Sequence, residues 1–342
     1  MAGTARGGGA AKRRPTIEDV ATAAGVSRGT VSRVLNGGVN VSADAQAAVK
    51  AAIRKTGYVV NLHARAMVTQ RSGTVAFVLS EPQERFFGDP NFNALLRGCT
   101  QSLAVHDIAL LLAISGSPEE RKRVLRFLAG GHVDGALLVS THAGDPLVEQ
   151  VLGLRLPVVA CGQPIGYERQ MPYVGVDETD GARQIVSHLL GTGRSTIATI
   201  TGPLDTPGGR QRLVGWRESL GDRADDSLVA HGVYYHASGE TAMTELLARR
   251  PDLDAVFAAS DAMALGALDA LRRAGRRVPE DVAVAGFDDS PSAVAAVPHL
   301  TTMRQPFQRI SAEMVRLLLG QIAGDPPATV ILPTELVVRG SA

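Results

Sequence analysis

Long apolar runs are missing from this sequence, since no stretch reaches the ~20 residues that a membrane-spanning helix needs. Its Gly- and Ala-rich start runs into Lys12, Arg13 and Arg14 without the apolar segment of a secretory signal. We therefore expect a protein that stays in the cytoplasm.

Cysteines and catalytic motifs are also scarce. Cys99 and Cys161 lie outside any Cys-x-x-Cys spacing, so we expect reduced side chains and no disulfide. The 8 histidines show no metal-ligand spacing. The motifs G-x-G-x-x-G after a strand, G-x-x-x-x-G-K-[ST], G-x-S-x-G and H-E-x-x-H are absent. We predict no metal, no cofactor and no enzymatic activity.

The net charge of +1 hides an asymmetry along the chain. Residues 1–71 carry 11 of the 35 Lys and Arg but 3 of the 34 Asp and Glu, which leaves 24 basic and 31 acidic residues elsewhere. A basic segment of this length is typical of a module that binds a polyanion, although an ordinary solvated surface is the alternative. With 342 residues, 45% of them apolar, the chain suits two or three soluble globular domains.

Three short amphipathic helices are predicted in the basic segment, because apolar residues recur there at helical spacing. Thr16 and Asp19 have the spacing of a capping box. The predicted caps and stops are Thr16, Gly25, Ser27, Asn36-Gly37-Gly38, Ser42 and Gly57. A helix, a tight glycine turn and a second helix form the helix-turn-helix pattern, although any small three-helix bundle shows similar stripes.

The second of these helices lies in "VSRGTVSRVLNG" (26–37), which holds two Val-Ser-Arg triplets. Val31, Val34 and Leu35 form its apolar stripe. The residues turned toward solvent are then Arg28, Gly29, Ser32, Arg33 and Asn36. Arginine suits DNA recognition because its planar fork binds guanine O6 and N7 together or grips a phosphate. We therefore predict that this helix contacts DNA.

The segment "TIEDVATAAGVSRGTVSRVLNGGVNVSADAQAAVKAAIRKTGYVVN" (16–61) closely resembles the DNA-binding headpiece of the lactose-repressor (LacI/GalR) family of bacterial transcription regulators. The resemblance implies a homodimer on a palindromic operator and a hinge helix that aligns with "NLHARAMVTQRSG" (61–73). In the family this helix pushes an apolar side chain into the minor groove, and Met67 occupies that place. The alternative for Met67 is a partly exposed position in a frayed linker. Family members usually have proline where this chain has Val60.

The residues expected to contact DNA are Thr16, Ser27, Arg28, Gly29, Thr30, Ser32, Arg33, Asn36, Asn61, Ala64, Arg65 and Met67.

Strand-like and helix-like segments alternate after Gly73, which predicts parallel sheets covered on both faces. The fold class predicted is α/β: an N-terminal helix-turn-helix three-helix headpiece and a two-lobed, periplasmic-binding-protein-like effector domain with parallel sheets. The predicted parts are a flexible basic tail (1–14), the DNA-binding domain (15–60), the hinge helix or linker (61–72) and the effector-binding and dimerisation domain (73–340). Within the last, lobe 1 covers about 73–172 and 303–338, and lobe 2 covers about 173–302.

Ligands of open α/β sheets bind at the carboxyl ends of the strands, so polar residues directly after the apolar runs are candidates for a ligand site. These are Ser80, Ser140, Asp261, Asp288 and Asp289. Carboxylates accept pairs of hydroxyl hydrogen bonds and arginine donates pairs, which suits a polyol ligand.

The family resemblance assigns roles to particular residues of this cleft. It makes Asp261, in "SDAMALGALDAL", an acceptor and Arg212, in "RQRLVGWRESL", a donor to ligand hydroxyls. It places the ring of Tyr234 against the ligand and adds Phe307 from the crossover. The expected effector-binding residues are thus Ser80, Ser140, Arg212, Tyr234, Asp261, Asp288 and Phe307.

Each of these cleft residues has a structural alternative. Asp261 could cap a helix beginning at Met263. Asp288 and Asp289 could hold a turn, and Tyr234 could simply pack between the lobes.

The resemblance implies a regulator that represses carbohydrate-utilisation genes and leaves its operator when a small sugar-like effector binds. One alternative is a regulator that senses a purine or another metabolite as a corepressor. A second is a plain sugar-binding transport protein, which would need a signal peptide and no helix-turn-helix.

Overall fold

The computed structural model of this protein describes residues 13, 15–35, 41–58 and 71–342. Two compact units, Met1–Ser72 and Gly73–Ala342, divide the chain, and each is considered by itself. Most of the predicted basic tail and nearly all of the hinge helix lie outside the described residues. So do the DNA-contact candidates Asn36, Asn61, Ala64, Arg65 and Met67.

Three helices form the first unit: α1 (Ile17–Ala24), α2 (Arg28–Leu35) and α3 (Ala43–Thr56). The capping box predicted for Thr16 and Asp19 is confirmed, and Gly25 ends α1 in the left-handed conformation with φ 67°. Ser27 and Ser42 accept backbone N–H hydrogen bonds at the starts of α2 and α3, as predicted for caps. The three apolar faces meet in a small core of Val20, Ala21, Val31, Val49 and Ala52.

Two six-stranded sheets form the second unit, and the strands are numbered in chain order. The first sheet contains, in spatial order, β11 (Val330–Leu332), β5 (Tyr173–Val176), β4 (Val158–Cys161), β3 (Gly135–Val139), β1 (Thr74–Leu79) and β2 (Ala109–Ile114). The second contains β12 (Glu335–Val337), β10 (Thr301–Arg304), β9 (Ala283–Asp288), β8 (Ala255–Ala258), β6 (Ile197–Thr201) and β7 (Val229–His231). All neighbouring strands are parallel except β10 and β12, which are antiparallel.

Helices cover both sheets. They are α4 (Gln83–Gly88), α5 (Pro90–Ala104), α6 (Pro118–Ala129), α7 (Pro146–Leu152), α8 (Glu178–Gly191), α9 (Pro207–Leu220), α10 (His236–Arg249), α11 (Asp261–Arg273), α12 (Pro291–Ala295) and α13 (Phe307–Ala323). The continuous apolar strands, such as β1 and β3, are buried on both faces, as expected for parallel sheets. No helix within the described ranges is long and apolar enough to cross a membrane.

We call the body around the first sheet lobe 1 and that around the second sheet lobe 2. The predicted lobe boundaries are wrong at three places. Strand β5 belongs to lobe 1, where it pairs with β4 and β11, whereas the sequence pattern predicts that lobe 2 begins at about residue 173. Strand β10 lies wholly in lobe 2. The predicted strand 329–338 is interrupted at Pro333, which has no N–H to donate to a sheet. Its first part, β11, pairs in lobe 1 and its second part, β12, pairs in lobe 2.

The chain therefore passes between the lobes three times: after β5, after β10 and after β11. Helix α13, which follows β10, packs on α5 and on strands of lobe 1. These three passages bring the carboxyl ends of both sheets to one cleft.

Candidate functional site

The helix α2 displays its polar face to solvent. Arg28, Gly29 and Arg33 are exposed, while Thr30 and Ser32 are half-buried. The Nε of Arg28 lies 3.3 Å from the Glu18 carboxylate, and both side chains are largely exposed. An exposed ion pair of this kind contributes little stability, so the guanidinium can exchange its partner for a phosphate or a base at small cost.

Two of the predicted DNA-contacting residues have a structural task in this unit. The hydroxyl of Thr16 donates to the Asp19 carboxylate at 2.9 Å and accepts from its N–H at 3.4 Å. The backbone N–H of Thr16 also donates to the Asp19 carboxylate, at 2.7 Å, and this bond and then that of the Thr16 hydroxyl lower the pKa of Asp19. The Ser27 hydroxyl lies 2.9 Å from that of Thr30. Both therefore help to define where their helices begin.

A cavity of about 180 Å³ lies between lobe 1 and lobe 2 at the carboxyl ends of the strands. Its lobe 1 wall is mostly apolar: Phe92, Leu95, Val139, Phe307 and Ile310. Its lobe 2 wall is mostly polar: Glu178, Thr206, Arg212, Tyr234 and Asp288. One wall can thus pack against C–H groups, and the other can exchange hydrogen bonds with hydroxyls.

Arg212 is the buried cation of the polar wall. Its Nε donates to the Glu178 carboxylate at 2.7 Å, and its Nη1 donates to the carbonyl oxygen of Ala259 at 2.5 Å. The guanidinium lies 3.6 Å from the centre of the Phe287 ring. Burial lowers the pKa of Arg212, but Glu178, Tyr234 and Asp288 together outweigh it and leave the pKa raised. Arg212 therefore stays charged and held in one orientation.

Asp288 lies at the end of β9 with Arg212 Nη1 4.0 Å away. Its two carboxyl oxygens accept from Gln305 Nε2 at 2.6 Å and from Asn91 Nδ2 at 2.9 Å. Asn91 belongs to lobe 1, so this second bond joins the lobes at the cavity. Burial raises the pKa of Asp288 well above its usual value, even though Arg212 lowers it. The backbone at Asp288 has φ 123°, a conformation that the surrounding bonds must hold in place.

Tyr234 lines the cavity from the segment after β7 and also adopts a positive φ, 63°. Its ring packs against Gly202, where any Cβ would overlap the ring. Its hydroxyl lies 3.3 Å from that of Thr206. Arg85 of lobe 1 stands 5.2 Å from the ring centre. Tyr234 therefore lines the cavity and also packs between the lobes, and its contact with a ligand stays a prediction.

Five of the seven predicted effector-binding residues line the cavity: Ser140, Arg212, Tyr234, Asp288 and Phe307. Ser80 does not, because its hydroxyl donates to Asp145 at 2.7 Å within lobe 1. Asp289, considered alongside them, is also absent from the lining, and its carboxylate accepts hydrogen bonds from Arg304 and Arg339.

Asp261 also lies outside the cavity lining, which contradicts the expectation that its side chain faces a ligand there. It is 1% exposed, and its carboxylate accepts from the Thr302 hydroxyl and from the Ser290 N–H at 2.5 and 2.6 Å. It is not the cap of α11 either, because Ser260 has that position and accepts from the Met263 N–H. Asp261 instead fastens the segment after β9 to α11 and β10.

Sequence reasoning missed several polar residues of the cavity: Arg85, Asp89, Asn91, Glu178 and Gln305. Glu178 follows β5, so the rule that polar residues after strands line the cleft would have found it, had β5 been placed in lobe 1. Gln305 directly follows β10, whose sequence Thr-Thr-Met-Arg is not an apolar run, and Asn91 lies at the start of α5, so neither gives a comparable signal. Among the described residues, no group of three or more His, Cys, Asp or Glu could hold a metal ion.

A helix-turn-helix unit followed along the chain by a two-lobed domain with a cleft is typical of ligand-responsive DNA-binding regulators as a class. Family models agree with both parts. Residues 16–61 match that of bacterial regulatory proteins of the lacI family, and residues 186–342 match a periplasmic binding protein-like domain.

Whole-chain relatives agree as well. The chain is 47% identical over 336 residues to the HTH-type transcriptional regulator CelR of Thermobifida fusca, covering 96% of this chain and 99% of that protein. A solved CelR–cellobiose complex matches with a TM-score of 0.78 at 45% identity, over 96% of this chain and 100% of that one. The lac repressor dimer bound to operator and the anti-inducer ONPF matches with a TM-score of 0.83 at 26% identity, over 96% and 99%.

The chain therefore belongs to the lacI family of bacterial regulatory proteins. It is a DNA-binding transcriptional regulator, and its relatives are regulators rather than enzymes. A plain sugar-binding transport protein, which would carry no helix-turn-helix unit, is excluded by the match over residues 16–61.

Proposed function

We propose that this regulator represses genes for the use of a disaccharide and that cellobiose, or a closely related β-linked sugar, releases it from DNA. It acts as a homodimer on a palindromic operator in the cytoplasm and catalyses no reaction. The proposal rests first on the 47% identity to CelR and on the CelR–cellobiose complex, which shares the whole chain's fold.

The cavity supports the part of the proposal that concerns the sugar effector. Its two unlike walls suit a carbohydrate, whose ring has apolar C–H faces and a rim of hydroxyls. Phe92 and Phe307 supply the apolar contact from lobe 1. Arg212 and Asp288 supply a donor and an acceptor from lobe 2. We assign effector binding to Arg212, Asp288, Tyr234, Ser140 and Phe307, and we withdraw Ser80 and Asp261.

The exposed face of α2 supports the part of the proposal that concerns operator DNA. We propose that Arg28 and Arg33 contact bases or phosphates of the operator, with Gly29 allowing close approach. Residues 15–60 are the DNA-binding domain in this proposal, and 61–72 are the hinge, in which Met67 wedges into the minor groove.

Signalling then follows from geometry, because both lobes line the cavity and Asp288 already bonds across it to Asn91. A sugar that contacts both walls binds one arrangement of the lobes more tightly than others. It can shift the DNA-binding equilibrium by no more than this difference in affinity.

Isothermal titration calorimetry with cellobiose, maltose, lactose, ribose and a purine base tests the choice of effector. We expect cellobiose to bind most tightly, by at least about tenfold, which corresponds to ~1.4 kcal/mol. Tighter binding of the purine, with stronger operator binding in its presence, would favour the corepressor alternative and contradict the proposal.

A further inference from the structure

A second set of polar contacts crosses the cleft away from Arg212 and Asp288. His142 follows β3 in lobe 1, and its Nδ1 lies 2.9 Å from the carboxylate of Asp205 in lobe 2. Its Nε2 lies 3.1 Å from the buried carboxylate of Glu81 in lobe 1. The imidazole thus bridges two carboxylates that belong to different lobes.

Glu81 also links His142 to a second contact between the two lobes, which Arg85 makes. Arg85 Nη1 lies 3.5 Å from the same Glu81 oxygen and 3.5 Å from the carbonyl oxygen of Val233 in lobe 2. The Arg85 guanidinium also stands over the Tyr234 ring. The Tyr234 hydroxyl lies 3.3 Å from that of Thr206, the residue that follows Asp205 in the chain. The contacts therefore form a closed circuit of residues from both lobes.

A backbone hydrogen bond reinforces the first crossing. The N–H of Ala143 donates to the carbonyl oxygen of Asp205 at 2.7 Å. The flanking residues Thr141 and Thr206 line the cavity on opposite sides of the cleft. The crossing therefore joins the two segments that would have to separate if the lobes opened there.

We propose that His142 is an interlobe latch: a positioning residue that holds lobe 1 against Asp205 of lobe 2 and so sets the affinity of the effector cavity. The latch itself requires only the observed contacts, whereas its effect on sugar affinity rests on the proposed function. If the cavity binds sugar in the closed arrangement, the apparent dissociation constant rises as the closed fraction falls.

Charge strengthens the latch, because a protonated imidazole donates from both nitrogens. The hydrogen bond to Glu81 is the largest cause that raises the pKa of His142 to about 9; burial lowers it and Asp205 raises it further. The other charged groups nearby are already engaged, Arg85 with Glu81 and Asp145 with Arg121. Opening removes Asp205 and lowers the pKa of His142. The latch is therefore complete below the pKa of the open form and is lost as the pH rises through about 9.

Amide hydrogen exchange on the full-length, sugar-free protein tests the latch directly. The Ala143 N–H reports on the cleft, and the Ser80 N–H, bonded to Val139 within lobe 1, is the internal reference. We expect His142→Gln and Asp205→Asn to speed exchange at Ala143 by about tenfold, with Ser80 unchanged. The exposed His106 is the matched control, and His106→Gln should change neither rate. Unchanged exchange at Ala143 in both latch variants would overturn the proposal.

Calorimetry with cellobiose gives the second readout. We expect His142→Gln to bind cellobiose about fivefold more weakly than wild type at pH 7.5, and to match wild type at about pH 10, where the wild-type imidazole is neutral. A deficit that is the same at both pH values would contradict a charged latch. If wild type itself fails to bind cellobiose, the proposed effector is wrong, and the exchange experiment still decides whether the latch exists.

Discussion

Arg28 on α2 and Arg212 on α9 place the same side chain in opposite settings. The Arg28 side chain is 72% exposed and pairs loosely with an exposed glutamate. The Arg212 side chain is 6% exposed and is fixed by Glu178 and by a backbone carbonyl. The exposed Arg28 can exchange its ion-pair partner, and salt screens its charge interactions. The buried Arg212 is already held in one orientation, and salt screens its charge interactions little. The difference matches the two tasks of this regulator, since DNA is a dense polyanion and the proposed effector is a neutral sugar.

A change in ionic strength should produce the largest difference between the two sites, because it should change operator affinity far more than sugar affinity. We expect operator affinity to fall by about 10³ to 10⁵ between roughly 50 and 200 mM salt, because 6 to 10 phosphate contacts per dimer release counterions. Cellobiose affinity should change by less than about threefold over the same range, since the cavity charges are buried. Fluorescence anisotropy with labelled operator and calorimetry with cellobiose give the two slopes. Equal slopes would remove the contrast between the sites.

Removing the buried cation should have the next largest effect. Arg212→Ala removes the charged donor proposed for the sugar hydroxyls, and a buried polar group left without its partner costs about 1–3 kcal/mol, or more where the partner is charged. We expect at least about 100-fold weaker cellobiose binding with operator affinity unchanged, as ~2.7 kcal/mol is 100-fold. Calorimetry and anisotropy on one preparation measure both, and thermal unfolding checks the fold. A proportional loss of operator binding would mean that Arg212 supports the whole domain.

Removing the exposed cation should have a smaller effect at each site, and one that depends on the DNA sequence. We expect Arg28→Ala to weaken operator binding by about 1–3 kcal/mol per half-site and to relax base preference at one symmetric position. Cellobiose affinity should stay at the wild-type value. Binding to a panel of operators with single base-pair changes distinguishes the alternatives. Uniform weakening on every sequence would assign Arg28 to a phosphate instead.

Asp261 should show the smallest effect on sugar binding. Since it faces Thr302 and Ser290 rather than the cavity, we expect Asp261→Asn to change cellobiose affinity by less than about threefold and to destabilise the fold by about 1–3 kcal/mol. A tenfold loss of affinity without destabilisation would return Asp261 to the binding site.

The pH dependence of stability gives a second test of Asp261. Burial raises its pKa from 3.8 to about 6. A carboxyl with a raised pKa in the folded state binds its proton more tightly there, so this contribution to stability is complete below about pH 4 and is lost as the pH rises through 6. Urea unfolding of wild type should show this loss, and Asp261→Asn should not. Parallel pH profiles for the two proteins would contradict the raised pKa.

Interactions between near neighbours in the chain were predictable from sequence, and pairings between distant segments were not. The capping box of Thr16 and the left-handed Gly25 depend on residues within one helical turn, so they follow from local rules. The partners of β5 and β12 depend on which sheet each strand joins, and an apolar run does not encode that choice.

Among the residues at the cleft, some were likewise predictable from the sequence and others were not. Arg212 and Tyr234 carry a recognisable motif or position, and the structure places both at the cavity. Asn91 and His142 acquire their roles from contacts with lobe 2, at Asp288 and Asp205, across long sequence separations. Their short sequence contexts are those of an ordinary helix start and an ordinary loop, so the roles become visible only in three dimensions.

One titration tests most directly the claim that an exposed DNA-binding surface is controlled by a buried sugar site. Cellobiose is added to labelled operator bound by wild type or by Arg212→Ala, and fluorescence anisotropy follows the release. The account predicts that wild type leaves the operator as cellobiose saturates the cavity, and that Arg212→Ala stays bound until about 100-fold higher sugar concentrations. Release of both proteins at the same concentration, or of neither at concentrations where calorimetry shows wild type saturated, would contradict it.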